Sequence, residues 1–192
     1  MSDTWSSGGS RRRAGSLLDV AVVGGGMVGA AASLALARAG FSVALVDARE
    51  PAAWSATDEI DLRVVGLAPS SVALLDGLGV WDTIRAARAS AYERMVVWDA
   101  ENGATLRFDA ADEARDVLGY IVENGLVQAS LWQALDDAGV RRIVPAEVVG
   151  YAMREDRAQL DLADGQIVSA RLVVAADGAE SPLREMVGIG TH

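Results

Sequence analysis

The chain has 192 residues, 51% of them hydrophobic, and a formal net charge of −10 from 17 basic and 27 acidic side chains. This length allows a globular domain with a packed core, and the acidic balance argues against a nucleic-acid partner, because phosphates are bound by a basic face. Cysteine is absent and the only histidine is His192, so disulfides, thiolate nucleophiles and Cys/His metal sites are excluded, and we expect no metal site.

Residues 1–17 are rich in Ser, Gly and Arg, and we expect them to form a disordered tail before one domain at 18–192. The apolar stretch from Val20 to Ala37 is long enough to suggest a transmembrane helix. Glycines interrupt its first half, so a strand, a loop and a short helix explain it better. The lack of cysteine is compatible with a cytoplasmic location.

The first ordered segment is expected to be a βαβ unit. Val20–Val23 is a short apolar run typical of a buried parallel strand, and Met27–Ala39 is rich in Ala and Leu, which predicts a helix. Gly40 is a typical helix end, and Phe41–Val46 is the predicted second strand. Parallel pairing of the two strands requires this kind of helical crossover.

The loop between the first strand and the helix has a G-x-G-x-x-G pattern at residues 24–29. In such a pattern Gly24 permits a tight turn, Gly26 lets the backbone approach a pyrophosphate, and Gly29 permits close packing of helix and strand. The helix start, at Met27, adds free N–H groups and partial positive charge. The sequence therefore predicts a dinucleotide site, and the alternative is a glycine-rich turn that binds nothing.

Asp47 follows the second predicted strand, where a carboxylate can accept hydrogen bonds from ribose hydroxyls. Its negative charge would repel a 2′-phosphate. This loop is therefore expected to favour FAD or NADH over NADPH.

The middle of the chain departs from strand–helix alternation. Asn102-Gly103 is a hairpin turn signal between the apolar runs Met95–Trp98 and Thr105–Phe108, so residues 92–116 are expected to contribute to a second sheet. Helices are also predicted from Pro69, around Trp81 and at Glu123–Ala138. Further strands are predicted at 142–144, 147–153, 158–162 and 166–169, and a turn at Asp164-Gly165 joins the last two.

Near the C-terminus, Leu172–Ala175 is predicted as a buried strand that leads into Asp177-Gly178 and a helix at Pro182–Met186. Ligands of open α/β sheets lie at this carboxyl edge of the strands. Asp177 equally fits an ordinary turn in which it caps the next helix. By themselves, Arg63 and Gln128 indicate only solvated polar side chains.

Six segments form a specific combination: Val22–Gly29, Asp61–Val64, Leu78–Asp82, Met95–Asp99, Leu118–Asn124 and Ala176–Arg184. On these segments the sequence from Asp19 onward resembles the class A flavoprotein aromatic hydroxylases, and within them the ubiquinone-biosynthesis hydroxylase group. The resemblance implies an α/β, Rossmann-like FAD/NAD(P)-binding fold with inserted β-hairpins and the start of a substrate-side sheet. It also implies that the C-terminal half of the family fold is missing.

The resemblance implies a set of cofactor-binding residues and leaves the catalytic residues unknown. Arg63 would lie near the FAD phosphates or the flavin, Gln128 would contact the cofactor from its helix, and Val148 would meet the adenine through its backbone. Asp177 and Gly178 would line the cofactor groove. The full set is Gly24, Gly26, Met27, Gly29, Asp47, Arg63, Gln128, Val148, Asp177 and Gly178.

The family uses FAD, NAD(P)H and oxygen to hydroxylate an aromatic ring. The resemblance thus implies a prenylated phenol or quinol of ubiquinone biosynthesis as substrate, and peripheral association with the inner membrane or with a quinone-biosynthesis complex. Family members are much longer, so we expect the chain to be inactive alone and able to self-associate. The alternatives are another flavoprotein of the superfamily, such as a reductase or halogenase, and a non-catalytic nucleotide-binding or interaction fragment.

Overall fold

The computed structural model describes residues 17–190, so the predicted tail at 1–17 lies outside the described residues except for Leu17. The strands are β1 Leu18–Val23, β2 Val43–Val46, β3 Val64–Leu67, β4 Ala89–Tyr92, β5 Arg94–Trp98, β6 Thr105–Asp109, β7 Gly119–Glu123, β8 Arg141–Ile143, β9 Val148–Met153, β10 Ala158–Leu162 and β11 Ile167–Ala175. The helices are α1 Met27–Arg38, α2 Pro69–Gly77, α3 Trp81–Arg88, α4 Asn124–Asp137 and α5 Pro182–Met186.

The main sheet has six strands in the order β8-β2-β1-β11-β10-β9. β8, β2, β1 and β11 run parallel, whereas β10 and β9 are antiparallel to their neighbours. The crossover from β1 through α1 to β2 is the predicted βαβ unit. The expected α/β, Rossmann-like fold is confirmed.

β1 and β2 are buried on both faces, as their continuous apolar runs predict. Val20 and Val22 of β1 point into a core with Leu34 of α1 and Leu131 of α4. The alternate residues of the same strand, such as Ala21, point into a second core built from β10 and β11. The glycine loop is thereby fixed between one strand of the sheet and two packed helices.

Two smaller sheets are inserted between β2 and α4. One has the order β3-β7-β4, and the other is the β5–β6 hairpin, which confirms the predicted inserted hairpin and separate sheet. The strands β3, β4 and β7 were not predicted. They have four or five residues each and no clear alternation of apolar and polar side chains, so sequence pattern gives them little signal.

The predicted elements differ from the structure by two residues or fewer at their ends, except at β11. β2 begins at Val43 rather than Phe41, because its pairing with β1 starts with Val43 beside Val20. The strands predicted at 166–169 and 172–175 are one continuous strand, β11. Its second half is not buried, since β10 ends its pairing at Ala170 and leaves Leu172 54% exposed.

Within residues 17–190, no helix is both long and apolar enough to cross a membrane. The stretch beginning at Val20 is a strand, a loop and a helix, in agreement with the sequence-based interpretation.

Candidate dinucleotide-binding site

Two glycines of the loop are required by close backbone contacts. Gly24 has a φ of +102°, and a Cβ there would overlap the carbonyl of Ala176, which follows β11. A Cβ on Gly29 would overlap the carbonyl of Gly24. Gly24 and Gly29 are therefore structural: they let β1, β11 and α1 approach closely, as the sequence pattern predicts.

Gly26 has a different environment, because it is exposed and a Cβ there would meet no atom within 4 Å. It is the N-cap of α1, and within the described residues no side chain caps this helix. The first N–H groups of a helix have no intrahelical partners, and the helix dipole favours an anion at this end. The open space beside Gly26 and Met27 thus fits the pyrophosphate of a dinucleotide.

Asp47 follows β2 directly and lies beside the same loop. One of its carboxylate oxygens accepts a hydrogen bond from the backbone N–H of Gly25, and the other accepts from the N–H of Arg49 at 2.9 Å. The main chain of Asp47 is also fixed, since its carbonyl accepts from the N–H of Ala146 at 2.8 Å. A carboxylate has about four acceptor positions, so Asp47 can still accept from ribose hydroxyls.

An open cleft of about 470 Å³ lies at the carboxyl edge of the main sheet. Gly24, Asp47, Val148 and Asp177 all line it, so the structure brings together residues that are far apart in the sequence. Open α/β sheets bind their ligands at this edge. The cleft has room for an adenosine beside the glycine loop.

Gln128 contacts the glycine loop directly. Its Nε2 donates to the carbonyl oxygen of Gly25 at 2.8 Å, and Nε1 of Trp132 donates to the same oxygen at 2.7 Å. Trp132 and Gly25 were missed as site residues in the sequence analysis. Trp132 lies one helical turn after Gln128 on the same face of α4, and this spacing is the signal that could have identified it.

Asp177 and Gly178 follow β11 at the edge of the cleft. The carboxylate of Asp177 accepts from the hydroxyl of Ser181 at 2.6 Å and from the N–H of Leu183 at 3.1 Å, so it fixes the start of α5. Gly178 is exposed, with a φ of +93°. The capping alternative for Asp177 is thus present in the structure, while its contact with a cofactor stays a prediction.

Arg63 is not among the residues that line this cleft. It precedes β3 in a smaller sheet, its side chain is 83% exposed, and its guanidinium lies 3.4 Å from the carboxylate of Asp61. The expected role of Arg63 near the FAD phosphates or the flavin stays a prediction.

The segment that leads to Arg63 is held by the buried carboxylate of Glu123. This carboxylate accepts from the N–H of Asp61 at 2.9 Å and pairs with Arg88 at 3.0 Å. Arg88 also lies over the ring of Trp54, 5.3 Å from its centre. The hydrogen bond from the Asp61 backbone, with help from Arg88 and Trp54, outweighs desolvation and lowers the pKa of Glu123.

Comparison with known proteins places this site in a family. A family model described as FAD binding domain matches residues 17–192. The 3-demethoxyubiquinol 3-hydroxylase of Escherichia coli is 43% identical over 175 residues, which cover 91% of this chain and 44% of that protein. Ubiquinone hydroxylase UbiL of Rhodospirillum rubrum is 36% identical over 173 residues, covering 90% of this chain and 40% of that protein.

Among solved structures, p-nitrophenol 4-monooxygenase PnpA from Pseudomonas putida has a TM-score of 0.71 and 25% identity, covering 90% of this chain and 44% of that one. The chain thus spans about two fifths of the length of the curated relatives that it matches. The open helix start, the carboxylate after β2 and the cleft that this carboxylate lines agree with the cofactor in the family's description. The chain belongs to the FAD-binding domain family, and its relatives include a 3-demethoxyubiquinol 3-hydroxylase and a ubiquinone hydroxylase.

Proposed function

We propose that this chain is the FAD-binding part of a flavin-dependent monooxygenase. The whole enzyme would use NAD(P)H and O₂ to hydroxylate a prenylated phenol or quinol in ubiquinone biosynthesis, and the 192-residue chain would be inactive alone. The substrate class rests on the names of the relatives, two of which are ubiquinone-biosynthesis hydroxylases.

The observation that carries this proposal is the open start of α1 next to Asp47. Gly26 leaves space for a phosphate at the free N–H groups. The carboxylate of Asp47 binds the neighbouring N–H of Gly25, and Asp47 lines the cleft, where it is available for the ribose. Val148, at the start of β9, lines the same cleft as Asp47, and its backbone would contact the adenine.

The residues of this chain would bind and orient the cofactor. FAD, when bound, supplies the redox and oxygen chemistry, and the protein supplies position and electrostatics. Because the cofactor supplies this chemistry, a chain without cysteine and with a single histidine at residue 192 can belong to a redox enzyme. Among residues 17–190, no group of three or more His, Cys, Asp or Glu side chains is placed to bind a metal ion.

The β5–β6 hairpin supports a missing substrate-side part. Its pairing puts Met95 opposite Phe108 and Val97 opposite Leu106, so these four apolar side chains share one face. All four are between 41% and 63% exposed. Isolated two-stranded hairpins are marginally stable in water, so this exposed apolar face fits a larger sheet in the whole protein.

The binding half of the proposal is tested by titrating the purified chain with FAD. Flavin fluorescence and the visible absorption spectrum report the bound fraction, and ADP should displace the flavin. Saturable binding of FAD that competes with ADP supports the proposal. If neither FAD nor ADP binds, the chain is not a functional FAD-binding unit.

The catalytic half is tested by NADH and NADPH oxidation in the presence of short-chain prenylated phenols, with product analysis. We expect no hydroxylated product from the chain alone. Hydroxylation by the isolated chain would contradict its proposed inactivity, and binding without reaction would agree with it. A related reductase or halogenase would be recognised by its product once the chain is extended to the length of its relatives.

The exposed hairpin also favours a second candidate function, an interaction fragment that associates with another chain or with itself. Val97→Glu should then reduce association measured by gel filtration at increasing protein concentration. The matched control is Ile167→Glu on the main sheet, where Ile167 is 50% exposed. A chain that ignores FAD and associates through the hairpin would be an interaction fragment, whereas FAD binding supports the first candidate.

A further inference from the structure

We propose that Trp132 is a positioning residue for the pyrophosphate of FAD, acting through the peptide between Gly25 and Gly26. This inference rests on the proposed binding of FAD at the glycine loop. Trp132 would not touch the cofactor itself. By holding one carbonyl, it would point the next backbone N–H toward the phosphate.

The Gly25 carbonyl is held by two donors from α4. Nε1 of Trp132 lies 2.7 Å from it and Nε2 of Gln128 lies 2.8 Å from it. A carbonyl oxygen has two lone pairs, so both hydrogen bonds can form together. The N–H of the same glycine is bound by the carboxylate of Asp47. Side chains from two different parts of the fold thus fix the peptides on both sides of Gly25.

Because the peptide unit is planar, the direction of the Gly25 carbonyl determines the direction of the next backbone N–H, that of Gly26. The carbonyl of Gly25 and the N–H of Gly26 belong to one planar trans unit, in which C=O and N–H point in opposite directions. Since the carbonyl faces α4, the N–H of Gly26 faces away from α4. Glycine backbones rotate easily, so without these donors the peptide could adopt other orientations at little cost.

Packing shows that the loop and Trp132 are fitted to one another. Trp132 is only 4% exposed, and a Cβ on Gly25 would overlap its ring atom Cζ2. The guanidinium of Arg142 lies 5.8 Å from the centre of the same ring and is itself paired with Asp136 at 2.9 Å. The indole therefore has a fixed position, and the second glycine of the loop is explained by this contact rather than by the cofactor.

A buried tryptophan also contributes to the core, so the experiment must separate positioning from stability. Trp132→Phe removes the N–H donor and keeps most of the apolar ring. Trp81→Phe is the matched control, because Trp81 is 6% exposed and packs edge-on against Tyr120. Free energies of unfolding in urea, without ligand, show how far each variant is destabilised.

The distinguishing measurement is displacement of FAD by ADP and by adenosine, which lacks phosphates. We expect Trp132→Phe to weaken binding of FAD and ADP about tenfold, the effect of one lost hydrogen bond, and to leave adenosine unchanged. Gln128→Leu removes the other donor from a half-buried position and should act in the same direction. Trp81→Phe should leave all three affinities unchanged.

Each outcome decides the inference. A selective loss for FAD and ADP in Trp132→Phe or, if that variant does not fold, in Gln128→Leu supports it. Unchanged ADP affinity, or equal losses for ADP and adenosine, overturns it and leaves FAD binding by the wild type intact. If the wild-type chain binds neither FAD nor ADP, the proposed function fails and the inference fails with it.

Discussion

Asp47 accepts a hydrogen bond from the backbone N–H of Gly25, so the residue expected to bind the ribose also holds the glycine loop. The two roles are compatible, because the carboxylate keeps acceptor positions that face the cleft. Changes at Asp47 should therefore alter both the sugar contact and the orientation of the loop.

Asp47→Ala should lower FAD affinity about 10- to 100-fold, because the hydrogen bonds of the charged carboxylate to the ribose and to the glycine loop are both lost. Asp47→Asn should have a smaller effect and should improve binding of 2′,5′-ADP relative to 5′-ADP, since the charge that repels a 2′-phosphate is removed. Asp164→Asn is a suitable control, because Asp164 accepts a backbone N–H in an exposed turn. An unchanged ratio of the two nucleotides in Asp47→Asn would argue against this charge effect.

Gly26→Val should leave the fold intact and weaken FAD binding by more than about tenfold. The backbone of Gly26 has φ −64° and ψ 179°, which valine adopts readily, and the added side chain enters empty space. That same space is needed for close approach of the pyrophosphate. Gly77→Val provides the control, since a Cβ there also meets no atom within 4 Å. Flavin fluorescence titrations of the two variants should differ, and equal affinities would remove the basis for the proposed phosphate site.

Gly29→Ala should instead destabilise the protein, by about 2 kcal/mol or more, because its Cβ would overlap the Gly24 carbonyl and the loop must move. Gly77→Ala adds the same methyl group to a helix end without a clash and should be neutral or slightly stabilising. Urea unfolding followed by circular dichroism gives both free energies. Equal stabilities of the two variants would show that helix α1 and the loop are not as closely packed as the structure has them.

The Glu123 network should make stability depend on pH. Because the pKa of Glu123 is lowered, its contribution is complete above its unfolded-state pKa, about 4.3, and is lost as the pH falls through the folded-state pKa. Glu123→Gln should be less stable than wild type at pH 7, and the difference should shrink below about pH 4. Glu155→Gln, at an exposed glutamate, should show a much smaller difference. A difference for Glu123→Gln that is constant between pH 7 and pH 3.5 would contradict this account.

The candidate site was predictable where its signals are local. Gly24, Gly26 and Gly29 lie on one short turn, and the βαβ unit that contains them follows from apolar runs and a helix end at Gly40. Val148 lines the cleft beside Asp47, and its backbone contact with the adenine stays a prediction. The contact of Gln128 with the glycine loop was not predicted from the sequence. Its Nε2 binds the loop and does not face open space.

The sequence by itself determined the strand, glycine loop, helix and strand that open the domain, because residue type and spacing within a few turns decide these elements. Only the tertiary structure shows which residues from distant parts of the chain contact these elements. The contact of Trp132 with Gly25 joins residues 107 positions apart, and β11 pairs with β1 across most of the chain. Such contacts depend on how buried surfaces pack in three dimensions, which the local pattern of apolar and polar residues leaves open.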